Sequence, residues 1–147
     1  MRDIERIILH CSATPPGRDV TADDIRSWHL ARGWADIGYH YVVRLDGTVE
    51  SGRPITRQGA HARGHNKDSI GICYVGGVGR NGAPKNTMTQ QQKVSIKQIC
   101  RALRRVLNKP LALHGHNEYS TKACPSFEVG AEFKELRSWL ASPRQIF

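Results

Sequence analysis

Ser69-Ile-Gly-Ile-Cys-Tyr-Val75 runs seven residues without a charge and is apolar at nearly every step. A strand with one wet face alternates apolar and polar residues, whereas a strand covered on both faces reads as a continuous apolar run. The stretch therefore predicts a central strand in a sheet with helices on both sides. Toward the N-terminus, Ile4–His10 ends in Ile7-Ile-Leu9 and reads as a second buried strand, broken by Thr14-Pro-Pro-Gly17. Thr21 with Asp24 forms a capping box, Ile25, Trp28 and His29 follow at helical spacing, and Gly33 is a stop. Tyr39–Leu45 is β-branched and aromatic, and Asp46-Gly47 marks a hairpin turn before Thr48-Val-Glu50.

Toward the C-terminus, Gly76 to Asn86 is a polar, Gly-rich loop. Thr89 with Gln92 makes a second capping box, and Val94, Ile96, Ile99, Cys100, Leu103, Val106 and Leu107 predict an apolar helical stripe that ends before Pro110. Leu111–His114 reads as a short strand and Glu128–Ala141 as a final amphipathic helix. Strands and helices interleave, so the expected class is α/β: a single domain over residues 1–147 with a central mixed β-sheet flanked by helices.

The 147 residues, 39% hydrophobic and 24% charged, suffice for one real core. Twenty-two basic against thirteen acidic residues give +9, a field that attracts polyanions: nucleic acid, anionic lipid or acidic wall polymers. Charge does not choose among them. The densest run, Arg101–Arg105, is read as the solvated face of a helix. No nucleic-acid motif is present and the aromatics form no stacking pairs, so no specific nucleic-acid partner is expected. The first ten residues hold two acids and only a three-residue apolar run, against the about 7–15 apolar residues of a secretory signal. No run approaches the ~20 of a membrane span. The expectation is a monomer that is cytoplasmic on synthesis.

Cys11, Cys73, Cys100 and Cys124 lie far apart with no C-x-x-C pair, which favours reduced thiols. Cys73 and Cys100 sit in apolar patterns and read as core, and so does Cys11, which alternates with His10. Three candidate metal ligands stand at strand ends or in loops: His10, His116 and Cys124. Two imidazoles and a thiolate suit zinc, and a catalytic site needs three such ligands plus one open position. Taken singly, each has a plainer reading. A histidine ending a strand is more often structural, and a free thiol is more often a small buried hydrophobe. His114, two residues from His116, is a rival ligand. His29 and His65 read as surface or helix-face residues, and His40 as a strand residue opposite Tyr39. Gly76-Gly-Val-Gly79 lacks the Lys-Ser/Thr of a phosphate loop, and neither H-E-x-x-H nor the deaminase pattern occurs.

Five strings occur in order: Ile8-Leu-His-Cys-Ser-Ala-Thr14, Gly38-Tyr-His-Tyr41, Asp46-Gly-Thr48, Asn66-Lys-Asp-Ser-Ile-Gly-Ile72 and Lys122-Ala-Cys-Pro-Ser126. Together, from about Ile7 to Phe127, they resemble the type 2 N-acetylmuramoyl-L-alanine amidases, the family that includes peptidoglycan-recognition proteins, and within it the short lysozyme-amidases of T-odd phages. The resemblance implies Zn2+ held by His10, His116 and Cys124, with His116 preferred over His114 because its distance from Cys124 matches the family. It implies catalytic roles for Tyr39 and Lys122, and a place in the substrate groove for His61 of Gly59-Ala-His-Ala62. The implied function is hydrolysis of the amide between N-acetylmuramic acid and L-alanine in peptidoglycan, by a phage or prophage endolysin that reaches the wall after release. The alternative is a peptidoglycan-binding module without catalysis, as in members that have lost the cysteine ligand.

Overall fold

The computed structural model describes residues 1–143, and these build one five-stranded sheet. Its strands are β1 (Arg6–Cys11), β2 (Tyr41–Val43), β3 (Val49–Ser51), β4 (Ser69–Tyr74) and β5 (Ala112–Gly115). They lie in the order β3-β2-β4-β1-β5. β1 runs parallel to β4 and β5, β2 runs parallel to β4, and β3 closes an antiparallel hairpin on β2, so the sheet is mixed as expected. Gly47, at φ 90°, turns that hairpin, because a left-handed conformation suits a residue without Cβ.

Every residue of β4 is buried. The cause is that helices cover both faces, with α1 (Ala22–Ala31) on one and α2 (Gln90–Leu107) and α4 (Lys134–Ala141) on the other. Ile7, Leu9 and Cys11 pack with Ile70, Ile72 and Tyr74 against Ile96, Ile99, Leu103, Leu136 and Leu140. Cys73 and Val75 turn the other way and pack with Val42 against Val20, Ile25 and Ile37. Side chains alternate across a strand, so His10, paired in register with Cys73, belongs to the α1 face. Cys11 belongs to the opposite core.

Both capping boxes form: the Thr21 side chain accepts from Asp24 N at the start of α1, and Thr89 accepts from Gln92 N at the start of α2. The expected stripe on α2 needs correction at two positions, for Val94 and Val106 are 45% and 70% exposed. Val94 stands about 200° round the helix from Ile96, and Val106 sits in the last turn of α2. Gln92 is buried instead, and its amide donates to Val43 O and Val75 O at 3.3 and 2.9 Å. The last helix is also not continuous. It breaks at Phe133 into α3 (Val129–Glu132) and α4. Val129, Phe133, Leu136 and Leu140 keep helical spacing across the break, so periodicity carries no sign of it. The loop after β4 is tied down, with Val78 bridged to Pro84 and Thr14 to Gly77. Residues 144–147, the end of the expected single domain, lie outside the described residues.

Candidate metal centre

His10 is the fifth residue of β1 and is 1% exposed. β1 and β5 are parallel with Leu9 opposite Gly115, so one step further along both chains brings His10 beside His116. Their ring centroids are 4.7 Å apart. His116 opens a single 3-10 turn, His116–Glu118, so the two-residue alternation of the strand stops there and His114 points elsewhere. His114 Nδ1 lies 2.8 Å from Glu118 Oε1 and 3.3 Å from an Arg137 guanidinium nitrogen.

Cys124 reaches the pair from a loop that is held at several points. The Tyr74 hydroxyl donates to Pro125 O at 2.6 Å, Ser126 Oγ to Gly77 O at 2.7 Å, and Asn117 Nδ2 to Phe127 O at 3.0 Å. Cys124 Sγ accepts the Cys11 N–H at 3.2 Å and stands 3.7 Å from His10 Nδ1. One donor atom from each of His10, His116 and Cys124 lies within 4.8 Å of the other two. That triangle is small enough for one ion at bond lengths of about 2.0–2.3 Å after minor side-chain rotation.

The protonation states also fit a cation. Burial pushes the His10 imidazole well below its ordinary value, with His61 and His116 adding to the effect. Burial and then the Lys122 ammonium lower His116. Both are therefore neutral near pH 7, with lone pairs free to bind. The adjoining Cys11 thiol and burial hold the Cys124 thiol up. A dication would reverse that preference by taking the thiolate and releasing a proton.

The three donors form part of the wall of an open cavity of about 430 Å³, which is also lined by Tyr39, Lys122 and His61. Tyr39 precedes β2 by two residues, and its ring lies 5.1 Å from that of His10. Burial raises its phenol well above the ordinary value, so it stays a proton donor at neutral pH. Lys122 is exposed at the cavity mouth. All six sequence candidates thus come together.

Sequence reasoning missed His29. It is 6% exposed, its Nδ1 accepts the Gly38 N–H at 2.8 Å, and its ring lies 5.6 Å from that of Tyr39. It fixes the backbone next to the candidate catalytic tyrosine. Its helical spacing with Ile25, on the buried face, was the available signal.

Over residues 1–127 the sequence matches the family described as N-acetylmuramoyl-L-alanine amidase. The chain belongs to that family. It is an amidase, and relatives cover most of its length. The endolysin of Escherichia phage T7 is 41% identical over 125 residues, 85% of this chain and 82% of that protein. The endolysin of Klebsiella phage KP32 is 39% identical over 128 residues, 87% of this chain and 84% of that one. Among solved structures, the N-acetylmuramoyl-L-alanine amidase LysC from Clostridium intestinale matches with a TM-score of 0.78 at 29% identity, over 95% of this chain and 86% of its own. Drosophila PGRP-LB matches at 0.78 and 26%, over 92% and 82%. The amidase fold therefore accounts for the mixed sheet and for the strand ends on which the site is built.

Proposed function

We propose that this chain is a zinc-dependent lytic enzyme of phage or prophage origin. It cleaves the amide between N-acetylmuramic acid and L-alanine in peptidoglycan, with residues 1–147 acting as one monomeric catalytic domain. The observation that carries this reading is the convergence of His10, His116 and Cys124 in the wall of an open cavity beside Tyr39 and Lys122. The two endolysins named above support a lytic role, and the basic charge of +9 suits an acidic wall. Among the described residues no helix is long and apolar enough to cross a membrane; that the enzyme reaches the wall after release through a pore made by another protein is part of the proposal.

Bound zinc supplies an activated water near pH 7 and polarises the scissile carbonyl. The chain's own groups do the rest. The neutral imidazoles of His10 and His116 and the thiolate of Cys124 would hold the ion, and the thiolate would offset part of its charge. The Lys122 ammonium, close enough to lower His116, stabilises the negative oxygen that develops on the substrate carbonyl. The Tyr39 hydroxyl, kept protonated by burial, orients the water, relays a proton or donates a hydrogen bond to that oxygen. His61 lines the groove.

The test is digestion of purified peptidoglycan. New L-alanine amino groups should appear, chelator should abolish them, and added zinc should restore them. Products carrying only new reducing sugar ends would refute the amidase reading. The alternative of a wall-binding module without catalysis predicts that Cys124→Ser keeps any effect on cells, whereas the enzyme loses it.

A further inference from the structure

Both ring nitrogens of His61 are engaged by the protein. Nδ1 lies 2.8 Å from His10 Nε2, and Nε2 lies 3.2 Å from Ser69 Oγ. The other nitrogen of His10, Nδ1, faces Cys124 Sγ. A line of polar atoms thus runs from the donor cluster through His10 and His61 to Ser69, a fully buried residue at the start of β4. All three side chains lie on the α1 face, since Ser69, Gly71 and Cys73 alternate with Ile70 and Ile72, and His10 pairs with Cys73.

The berth of the His61 ring is built by what is missing around it. A Cβ on Gly71 would lie 2.6–2.7 Å from three of its ring atoms, and one on Gly59 would lie 2.8 Å from its Cδ2. Its backbone is fixed as well, for His61 N and Ala62 N both donate to Asn66 Oδ1 at 2.9 Å. The ring meets His10 edge-on, with centroids 4.8 Å apart and an interplanar angle of 88°. His61 also lines the cavity, while both its nitrogens are taken up by His10 and Ser69.

We propose that His61, backed by Ser69, is a positioning residue for the metal ligand His10. The inference rests on the zinc reading above. A histidine that presents bare Nδ1 to an ion must carry its proton on Nε2. That N–H then donates to His61 Nδ1, so neutral His61 carries its own proton on Nε2 and donates to Ser69 Oγ. The opposite polarity would put a proton on His10 Nδ1, in the place of the ion. The relay thus gives the metal-binding tautomer of His10 an acceptor for its Nε2–H and fixes the ring plane, which is how outer-shell partners of metal-bound histidines act.

The test measures zinc affinity by competition with a chromophoric chelator, together with the absorption spectrum of the cobalt-substituted protein. His61→Leu and His61→Asn have nearly the same shape, but only Asn offers an acceptor to His10 Nε2–H. His61→Leu is expected to weaken zinc binding about 10–100-fold and to shift the cobalt bands, while His61→Asn recovers most of the affinity. Ser69→Ala should weaken binding less, and should add nothing in the His61→Leu background, since the two act in series. Circular dichroism of the metal-free proteins checks folding. If His61→Leu does not fold, the comparison of His61→Asn and Ser69→Ala with wild type still decides. Equal affinity and identical cobalt spectra for wild type, His61→Leu and Ser69→Ala would overturn the relay. Equal loss in His61→Leu and His61→Asn would overturn it too, because packing alone would then explain the effect. Failure of the zinc reading looks different: wild type takes up no metal, or Cys124→Ser binds as wild type does.

Discussion

Acidification should destabilise the metal-free protein well above the range where its carboxylates titrate, and His40 should be a main cause. This residue is 1% exposed and uses both nitrogens in the neutral form. Nδ1 accepts the Gly71 N–H at 3.0 Å, so the proton sits on Nε2, which donates to Arg57 O at 2.8 Å. The Arg2 guanidinium lies 3.0 Å from the same Nε2. Protonation would set a second N–H against that of Gly71 and a second cation beside Arg2. Burial first, and the arginines Arg2 and Arg53 in addition, lower its pKa from 6.5 to about 4.

The folded value lies below the unfolded one, so between the two the unfolded chain binds more protons. The contribution is therefore fully present above the unfolded pKa and is lost as pH falls toward 4. At about 1.4 kcal/mol per tenfold, His40 alone should remove about 2 kcal/mol between about pH 7 and about pH 4.5. Urea unfolding of chelator-treated protein at the two pH values measures the loss. His40→Asn retains an acceptor for Gly71 N–H but does not titrate, so it should start less stable and lose about 2 kcal/mol less on acidification. Buried His29, lowered to about 4, and His61, lowered to about 3, leave some slope behind. Equal losses in wild type and variant would refute the reasoning.

Three further outcomes are expected. Cys124→Ser should lose zinc, measured as metal per chain, together with amidase activity, while His114→Ala keeps both, since His114 is turned to Glu118 and Arg137. Lys122→Ala should lower kcat about 10²–10³-fold with zinc content unchanged, if its ammonium acts on the developing oxyanion. An equal fall in zinc content would instead make it a structural residue. Gln92→Leu would leave Val43 O, Val75 O and Thr89 N without their side-chain partner, so a stability loss of about 2–4 kcal/mol is expected in thermal or urea unfolding. A change under about 0.5 kcal/mol would mean that water or shifted backbone satisfies those groups.

The pattern of the chain made several elements legible. The apolar run Ser69–Val75 holds the fully buried strand Ser69–Tyr74, and both capping boxes and the Asp46-Gly47 hairpin form where they were expected. These rest on local rules of alternation, capping and turn chemistry that depend on few distant contacts. Where distant contacts decide, the reading fell short. Val94 and Val106 have the right residue type for a core stripe, yet only the placement of α2 against the rest of the fold decides which of its positions are covered. Strand Tyr39–Leu45 shortens to Tyr41–Val43 because pairing with β3 and β4 ends there. His29 read as a surface or helix-face residue and His40 as a strand residue opposite Tyr39, but both are buried and each accepts a backbone N–H next to the site.

By itself the sequence determined the α/β class and the order of the elements, because residue type and short-range spacing are properties of the chain alone; the six candidate side chains followed from the resemblance carried by its five ordered strings. Only the tertiary structure decided that His10 and His116, over a hundred residues apart, stand side by side with Cys124. Parallel register between β1 and β5 is set by packing across the whole sheet. It also decided which protons these groups carry, since burial and neighbouring charge exist only once the chain has folded. His61 belongs to both accounts: a residue of Gly59-Ala-His-Ala62 in sequence, and in the fold a ring held between His10 and Ser69.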